Sequence, residues 1–136
     1  MTEASGILDT SAFIDLRRLQ EASLPRAAYL TTITLAELTV GPLVAESGHA
    51  RAIRQAHVQR AEARHPILPF DVPTARAFGT VAGSLRRLGR KASARSFDAM
   101  IAAIALANDL PVYTCNPDDF AGIDGLRVVT VTRRET

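Results

Sequence analysis

Short apolar runs alternate with longer segments of helical composition along the whole of this chain. The runs have strand composition at residues 6–8, 29–33, 66–71, 110–114 and 126–131. Helices are predicted at residues 11–20, from 34 to the Gly41-Pro42 pair, and at 49–64, 73–88 and 98–108. This alternation predicts the α/β class, with a largely parallel central sheet flanked by helices on both faces. The length suits one domain spanning residues 1–136.

The helix predicted at residues 98–108 has the clearest pattern in the chain. Asp98 is followed by a run, residues 99–107, that is Ala-rich, apolar and free of Gly and Pro. Because this run is apolar on every side, the helix should be buried in the middle of the domain. Asp98 would then lie at the positive end of the helix dipole, either as a helix cap or as a functional carboxylate.

Three further acidic residues follow predicted strands. Asp9 follows the first strand, Glu37 the second, and Asp119 lies just past the strand that ends at Thr114. The ligand crevice of a parallel sheet lies beyond the carboxyl ends of its strands, so these three residues and Asp98 are predicted to share one crevice. For Glu37 a structural alternative is open, because residues 34–37 read Thr-Leu-Ala-Glu, a capping-box pattern.

Four carboxylates in one crevice repel one another unless they are protonated or neutralised. An all-oxygen ligand set suits Mg²⁺ or Mn²⁺, and such an ion with its water would hydrolyse a phosphodiester. The chain has neither a Gly-x-x-x-x-Gly-Lys-Ser/Thr loop nor a Gly-rich dinucleotide fingerprint, which argues against nucleoside triphosphate and nicotinamide chemistry. His49, His57 and His65 are eight residues apart, so they do not share a helix face, and we expect them to be exposed.

The net charge of +2 conceals a basic middle segment. Residues 51–95 hold ten basic residues and two acidic ones, and the other twelve acidic residues lie outside this segment. Such an asymmetry favours a polyanion bound beside an acidic site, although solvated helix faces give the same count. The candidates for phosphate contact are the basic residues nearest to Asp98 in sequence: Arg86, Arg87, Arg90, Lys91 and Arg95.

Four segments, taken in order, resemble the motifs of the PIN domain, and within it of the VapC toxins of bacterial toxin–antitoxin pairs. The first is Ile-Leu-Asp-Thr-Ser at residues 7–11, and the second is Thr-Leu-Ala-Glu-Leu-Thr-Val-Gly at 34–41. The third is Asp-Ala-Met-Ile-Ala-Ala at 98–103, and the fourth is Thr-Cys-Asn-Pro-Asp-Asp-Phe at 114–120. The resemblance covers nearly the whole chain and implies the three-layer PIN sandwich.

The resemblance also implies roles for individual residues. Asp9, Glu37 and Asp98 would form the core of a metal site with Asp119 as the fourth acid, although Asp118 is an alternative to Asp119. Asn116 matches a polar residue that hydrogen-bonds within the cluster, and Thr10 or Ser11 would orient Asp9.

A metal-dependent endoribonuclease that uses Mg²⁺ or Mn²⁺ and leaves a 5′ phosphate is the activity that this family implies. The expected partners are RNA, a VapB-type antitoxin whose tail occupies the crevice, and a second copy of the chain in a homodimer with two sites along a basic groove. Cys115 is the only cysteine, and the sequence has neither a membrane-length apolar run nor a signal-peptide pattern. We therefore expect a cytoplasmic protein.

Two other classes remain as alternatives. A phosphatase or response-regulator-like domain also gathers aspartates at strand ends, but it would need a second Asp beside Asp9 or a phospho-accepting Asp with a partner Lys. The other class is a catalytically inactive PIN-like module that binds RNA or protein. Loss of activity usually removes an acid, and here all four acidic positions are filled.

Overall fold

The computed structural model describes residues 4–91 and 95–135. Within them, five strands form one sheet in which every pairing is parallel. The strands are β1 (Ser5–Leu8), β2 (Ala27–Thr31), β3 (Ile67–Leu68), β4 (Val112–Thr114) and β5 (Val128–Thr130). Their order is β3-β2-β1-β4-β5, so β1 lies at the centre with β2 and β4 on either side. The α/β class with a parallel central sheet is confirmed.

Five α-helices connect or follow the strands: α1 (Thr10–Ile14), α2 (Thr32–Leu43), α3 (Gly48–Arg64), α4 (Val72–Arg87) and α5 (Ser96–Ala107). Short 3₁₀ turns cover Leu16–Arg18, Glu21–Ser23 and Pro117–Phe120. No helix among the described residues combines the length and the apolar character that a membrane span requires.

Neighbouring residues of the central strands point to opposite faces of the sheet and so build two cores. Ile7 packs with α4 and α5 on one face, and Leu8 packs with α1, α2 and α3 on the other. The same alternation places Val112 in the first core and Tyr113 in the second. The middle of α5 is buried on nearly every side, at residues 99 and 101–105, as its apolar composition predicts. The sheet between two helical layers gives the three-layer sandwich.

The first two predicted helices have different bounds in the structure. The helix predicted at residues 11–20 stops at Ile14, because the chain turns into a 3₁₀ segment that brings Leu19 into the core. The helix predicted from Thr34 begins two residues earlier, at Thr32. Its cap is Thr31, whose hydroxyl accepts a 3.2 Å hydrogen bond from the Thr34 amide. The predicted capping box is therefore wrong, and Glu37 does not cap this helix.

The prediction that the histidines are exposed is wrong for His57 and His65. Both rings are half-buried and lie edge-on to the buried Phe13 ring, with centroids 6.4 Å and 5.6 Å away. His65 Nδ1 also lies 3.0 Å from the Ala28 carbonyl oxygen. Only His49 is exposed among the three. The basic loop predicted at residues 89–96 lies partly outside the described residues, and its last member, Ser96, is the first residue of α5.

Gly6 and Gly79 offer a matched test of this packing. A Cβ at Gly6 would lie 2.3 Å from the ring of the buried Tyr113, whereas a Cβ at Gly79 would meet no atom within 4 Å. We expect Gly6→Ala to destabilise the fold by about 1–3 kcal/mol through overpacking. Gly79→Ala lies within α4 and should stabilise it by about 0.5–1 kcal/mol. Urea unfolding measures the change in the free energy of unfolding for each variant, and equal changes in the two variants would contradict this account.

Candidate active site

The four acidic residues of the predicted crevice come from four elements that meet at the carboxyl edge of the sheet. Asp9 directly follows the central strand β1 and is the N-cap residue of α1. Glu37 lies in the second turn of α2, which follows β2. Asp98 lies in the first turn of α5, and Asp119 lies in the 3₁₀ turn that follows β4. The parallel topology therefore brings distant parts of the sequence to one edge.

Asp9 is the most buried of the four and is held by three hydrogen-bond donors. Its Oδ1 accepts from the Ala12 amide and from the Ser11 hydroxyl, both at 2.9 Å. Its Oδ2 accepts from the Thr114 hydroxyl at 2.6 Å. Because a carboxylate oxygen has two lone pairs, Oδ2 retains one acceptor position. Burial raises the pKa of Asp9 overall, although these hydrogen bonds act in the opposite direction.

Glu37 is held by Thr10 of α1, which also contacts Thr34 of α2. Thr10 Oγ1 donates a 2.8 Å hydrogen bond to Glu37 Oε1 and lies 2.9 Å from Thr34 Oγ1. Because Thr10 has one hydroxyl hydrogen, Thr34 donates to Thr10 when Thr10 donates to Glu37. Burial, and to a smaller extent the charge of Asp9, raise the pKa of Glu37.

Asp98 does not cap α5, because the N-cap position is Arg95. The pKa of Asp98 is raised to about 6, with burial as the largest cause. The negative charges of Asp119, Asp9 and Glu37 add to this effect, in that order. Since a charge acts in this way only at short range, the four carboxylates share one electrostatic environment.

Asp118 and Asp119 have different surroundings. Asp118 is exposed. The Asp119 side chain is 31% exposed and pairs with the Arg95 guanidinium. Its charge also raises the pKa values of both Asp9 and Asp98. The structure thus brings Asp119, and not Asp118, to the other three acids.

The donor set fits a hard divalent cation, although not as a closed cage. Among the residues that the structure describes, no three Asp, Glu, His or Cys side chains are placed so that they could hold one ion. Mg²⁺, however, is commonly bound through one or two carboxylates and keeps several waters. Asp9 and Asp98 supply the two carboxylates that such a site uses, and the charge of Asp9 adds to burial in raising the pKa of Asp98, an effect that a cation would relieve.

Sequence reasoning missed Thr114, whose hydroxyl joins two parts of the site. It donates to Asp9 and accepts a 2.9 Å hydrogen bond from the Asn116 amide. Asn116 therefore acts through its backbone, and its exposed side chain makes no hydrogen bond to any described residue. Sequence reasoning also missed Thr34, which the capping-box pattern assigns to the start of a helix. The available signal was a hydroxyl residue within a few positions of a strand end in the first, second and fourth motifs.

Three of the five candidates for phosphate contact have partners within the chain. Arg87 pairs with Asp124, Arg95 pairs with Asp119, and Arg90 donates a 3.1 Å hydrogen bond to the Asp118 carbonyl oxygen. Arg86 and Lys91 are exposed and have no partner among the described residues. Arg95 also lines an open pocket of about 510 Å³, together with Glu37, Ser96, Phe97 and Asp98.

Comparison with known proteins assigns this fold and site to a class. The family model for the PIN domain matches residues 6–126. Ribonuclease VapC5 of Mycobacterium tuberculosis is 41% identical over 135 residues, which cover 97% of each chain. Ribonuclease VapC1 of Rickettsia felis is 28% identical over 133 residues, which cover 95% of this chain and 98% of that protein.

A solved structure gives the same result in three dimensions. The crystal structure of VapBC-5 from Mycobacterium tuberculosis, a member of the VapBC family of toxin–antitoxin systems, matches with a TM-score of 0.80 and 40% identity. The match covers 96% of this chain and 99% of that one. The chain therefore belongs to the PIN-domain family. Within that family, its relatives are VapC proteins.

The electrostatics of Asp98 predict a pH dependence of stability in the absence of metal. Its pKa is raised from an ordinary 3.8 to about 6, so between these values the folded chain binds more protons than the unfolded chain. The carboxyl therefore contributes stability that is complete below pH 3.8 and is lost as the pH rises through about 6. We expect the free energy of unfolding of Asp98→Asn in EDTA to exceed that of the parent by about 1–2 kcal/mol at pH ~7.5, after allowing for solvent screening. The difference should be smaller at pH ~4.5.

Urea unfolding at the two pH values measures this difference. Asp118→Asn is the control, because it removes an exposed acid that lies outside the cluster. If the free energies of unfolding of Asp98→Asn and the parent differ by the same amount at both pH values, the electrostatic account is contradicted.

Proposed function

We propose that this chain is the ribonuclease toxin of a VapBC pair and hydrolyses RNA phosphodiester bonds internally with the help of Mg²⁺ or Mn²⁺. The observation that carries the proposal is the convergence of Asp9, Glu37, Asp98 and Asp119 at the carboxyl edge of a PIN-domain sheet. The names of the VapC relatives support ribonuclease activity. The negative charges of Asp119, Asp9 and Glu37, which add to burial in raising the pKa of Asp98, support a role for a cation.

In this proposal Asp9 and Asp98 hold the ion, and Glu37 and Asp119 complete its surroundings through direct contact or through water. The bound ion would supply a Lewis acid for attack by water on the phosphorus. Attack from the side opposite the 3′ oxygen releases a 3′ hydroxyl end and leaves the phosphate on the 5′ end of the other fragment. The hydrogen bonds from Ser11, Ala12 and Thr114 fix Asp9 for this role.

Exposed basic residues near α5 would contact the RNA backbone. Arg86 and Lys91 suit this role as they stand, because they have no partner among the described residues. Arg87, Arg90 and Arg95 would first have to leave their partners within the chain. A homodimer that sets two such surfaces along one groove stays a prediction.

We also propose a VapB-type antitoxin as the partner, because the relative with TM-score 0.80 was solved as VapBC-5. A cleft suited to such a segment leads away from the site. It begins at Glu37 and Thr10 and passes the 47% exposed Ile14. A second pocket, which shares Ile14 with the first, lies between α1 and α3 and reaches an arginine cluster: Arg17, Arg60 and Arg64.

The arginine cluster favours a partner of defined chemistry. Burial, and then the positive charges of Arg17 and Arg64, lower the pKa of Arg60. None of the three forms an ion pair with another described residue. A segment with acidic side chains beside apolar ones would neutralise these charges and cover Ile14 and Ile53.

Arg95 supplies the positive charge that the acid cluster has in the metal-free chain. It pairs with Asp119 and opposes the rise in the pKa of Asp98, so it lies close to both carboxylates. A divalent cation that draws on Asp119 has to compete with this guanidinium. We therefore infer that Arg95 weakens metal binding while it stabilises the metal-free site.

The test of the proposed activity is cleavage of RNA by the purified, antitoxin-free chain, with and without Mn²⁺ or Mg²⁺. We expect metal-dependent cleavage with 5′-phosphate ends, and a loss of about 10²-fold or more in Asp98→Asn and Asp119→Asn. Asp118→Asn is the matched control and should remain active. If the chain binds Mn²⁺ and RNA without cleaving, it is the inactive binding module, and equal loss in Asp118→Asn would show that the fourth acid is misassigned.

Arg95→Ala tests the competition between Arg95 and a divalent cation. The measurements are metal binding and stability rather than activity. Because the pair is partly exposed, we expect Mn²⁺ to bind about two- to fivefold more tightly by calorimetry. The melting temperature in EDTA should fall, and the rise on adding Mn²⁺ should be larger than in the parent. Arg90→Ala, which removes a bond to a backbone carbonyl, should leave the affinity for Mn²⁺ unchanged. Weaker Mn²⁺ binding in Arg95→Ala would show instead that Arg95 supports the metal site.

A further inference from the structure

Phe97 lies in an unusual position for an aromatic residue of this chain. It directly precedes Asp98 in the first turn of α5, and its side chain is 51% exposed. It lines the open pocket that also contains Glu37, Asp98 and Arg95. Full burial of a Phe side chain would contribute about 1.5–3 kcal/mol to stability. Because Phe97 is half exposed beside the carboxylates, the fold gains only part of this contribution.

The other Phe side chains and Tyr113 are either buried in a core or in contact with a second aromatic ring. Phe13, Tyr113 and Phe120 are buried in the two cores. Phe70 lies edge-on to Phe78 with centroids 6.4 Å apart. Phe97 is more exposed than any of them and makes no ring contact with another described aromatic residue. Its ring is therefore available to a ligand that enters the pocket.

We infer that Phe97 is the stacking platform for a nucleobase of the RNA next to the cleaved phosphodiester. The inference rests on the proposed ribonuclease activity and adds a residue that positions the substrate. An unpaired base presents an apolar face attached to a phosphate. The pocket offers the complementary pair, a ring at Phe97 and a guanidinium at Arg95. With the base on Phe97, the adjacent phosphate would lie in the same pocket as Asp98 and Arg95.

The chemistry of stacking defines what this contact selects. Every base has a π-face, so the contact discriminates single-stranded from paired RNA more than one base from another. The polar rim of Glu37, Arg95 and Asp98 also suits a nucleotide better than an apolar peptide, whose side chains would leave these charges unpaired. RNA whose scissile nucleotide is in a loop should therefore be cleaved in preference to a duplex of the same sequence.

The chain contains no tryptophan, so Phe97→Trp introduces a single indole as a reporter at this position. We would place it in an Asp98→Asn background, which prevents cleavage, and titrate a labelled single-stranded oligoribonucleotide of mixed sequence. Anisotropy of the label reports binding, and the emission of the introduced indole reports stacking. We expect the indole emission to be quenched along the same curve as the rise in anisotropy.

Activity of the cleavage-competent chain provides a second measurement. Stacking contributes about 1–3 kcal/mol per base, so Phe97→Ala should raise KM for single-stranded RNA about tenfold and change kcat less. Phe97→Trp should retain the parental KM, whereas Phe97→Leu, which is apolar but not aromatic, should behave as Phe97→Ala. The affinity for Mn²⁺ should be unchanged in all three variants.

The possible failures are distinguishable. RNA binding with unchanged indole emission, or a KM in Phe97→Leu as low as in Phe97→Trp, would overturn the stacking role and leave the proposed function intact. Failure of the chain that carries only Asp98→Asn to bind any RNA would overturn both. Indole emission that shifts to the blue with rising protein concentration, together with a doubled mass, would show that a second copy covers Phe97 and would also overturn the inference.

Discussion

The buried carboxylate of Asp9 is the constraint on which the rest of this structure depends. It follows the central strand, and it would be costly to bury without partners. The fold supplies donors from two directions, Ser11 and Ala12 from the helix that it caps and Thr114 from the neighbouring strand. One side chain thus couples the start of α1 to the end of β4. The register between β1 and β4 has to be exact for this hydrogen bond to form.

The other acidic residues lie near that fixed carboxylate, although their like charges repel one another. Burial and mutual repulsion raise the pKa values of Asp9, Glu37 and Asp98 together. The metal-free chain offsets part of this repulsion with Arg95. In the proposed function, stability and metal binding make opposite demands, because the arrangement of like charges that costs folding free energy would favour a divalent cation.

Much of this architecture was accessible from the sequence, for identifiable reasons. The alternation of short apolar runs with helices predicts the parallel sheet, and the uninterrupted apolar run after Asp98 predicts a helix buried on nearly every side. Sequence patterns did not identify the correct cap of α2, because two residues of the same type could serve as the cap. Thr31 and Thr34 have the same capping chemistry, and the choice between them depends on where β2 ends, which pairing with β3 determines. The predicted exposure of His57 and His65 is wrong, because Phe13, which packs against both rings, lies far away in sequence. Whether the four acids bind metal and cleave RNA remains a prediction.

The hydrogen bond between Thr114 and Asp9 spans 105 positions of the chain. During synthesis Asp9 leaves the ribosome early, while Thr114 and Asp119 emerge only after the whole of α5 has been made. The acidic cluster therefore does not exist in any nascent fragment that lacks β4, however well its first half folds. A nuclease built in this way would have no complete acidic cluster until β4 and the turn that contains Asp119 have been made and have docked on the sheet. The order of elements in this fold therefore makes assembly of the cluster one of the later steps of folding during synthesis.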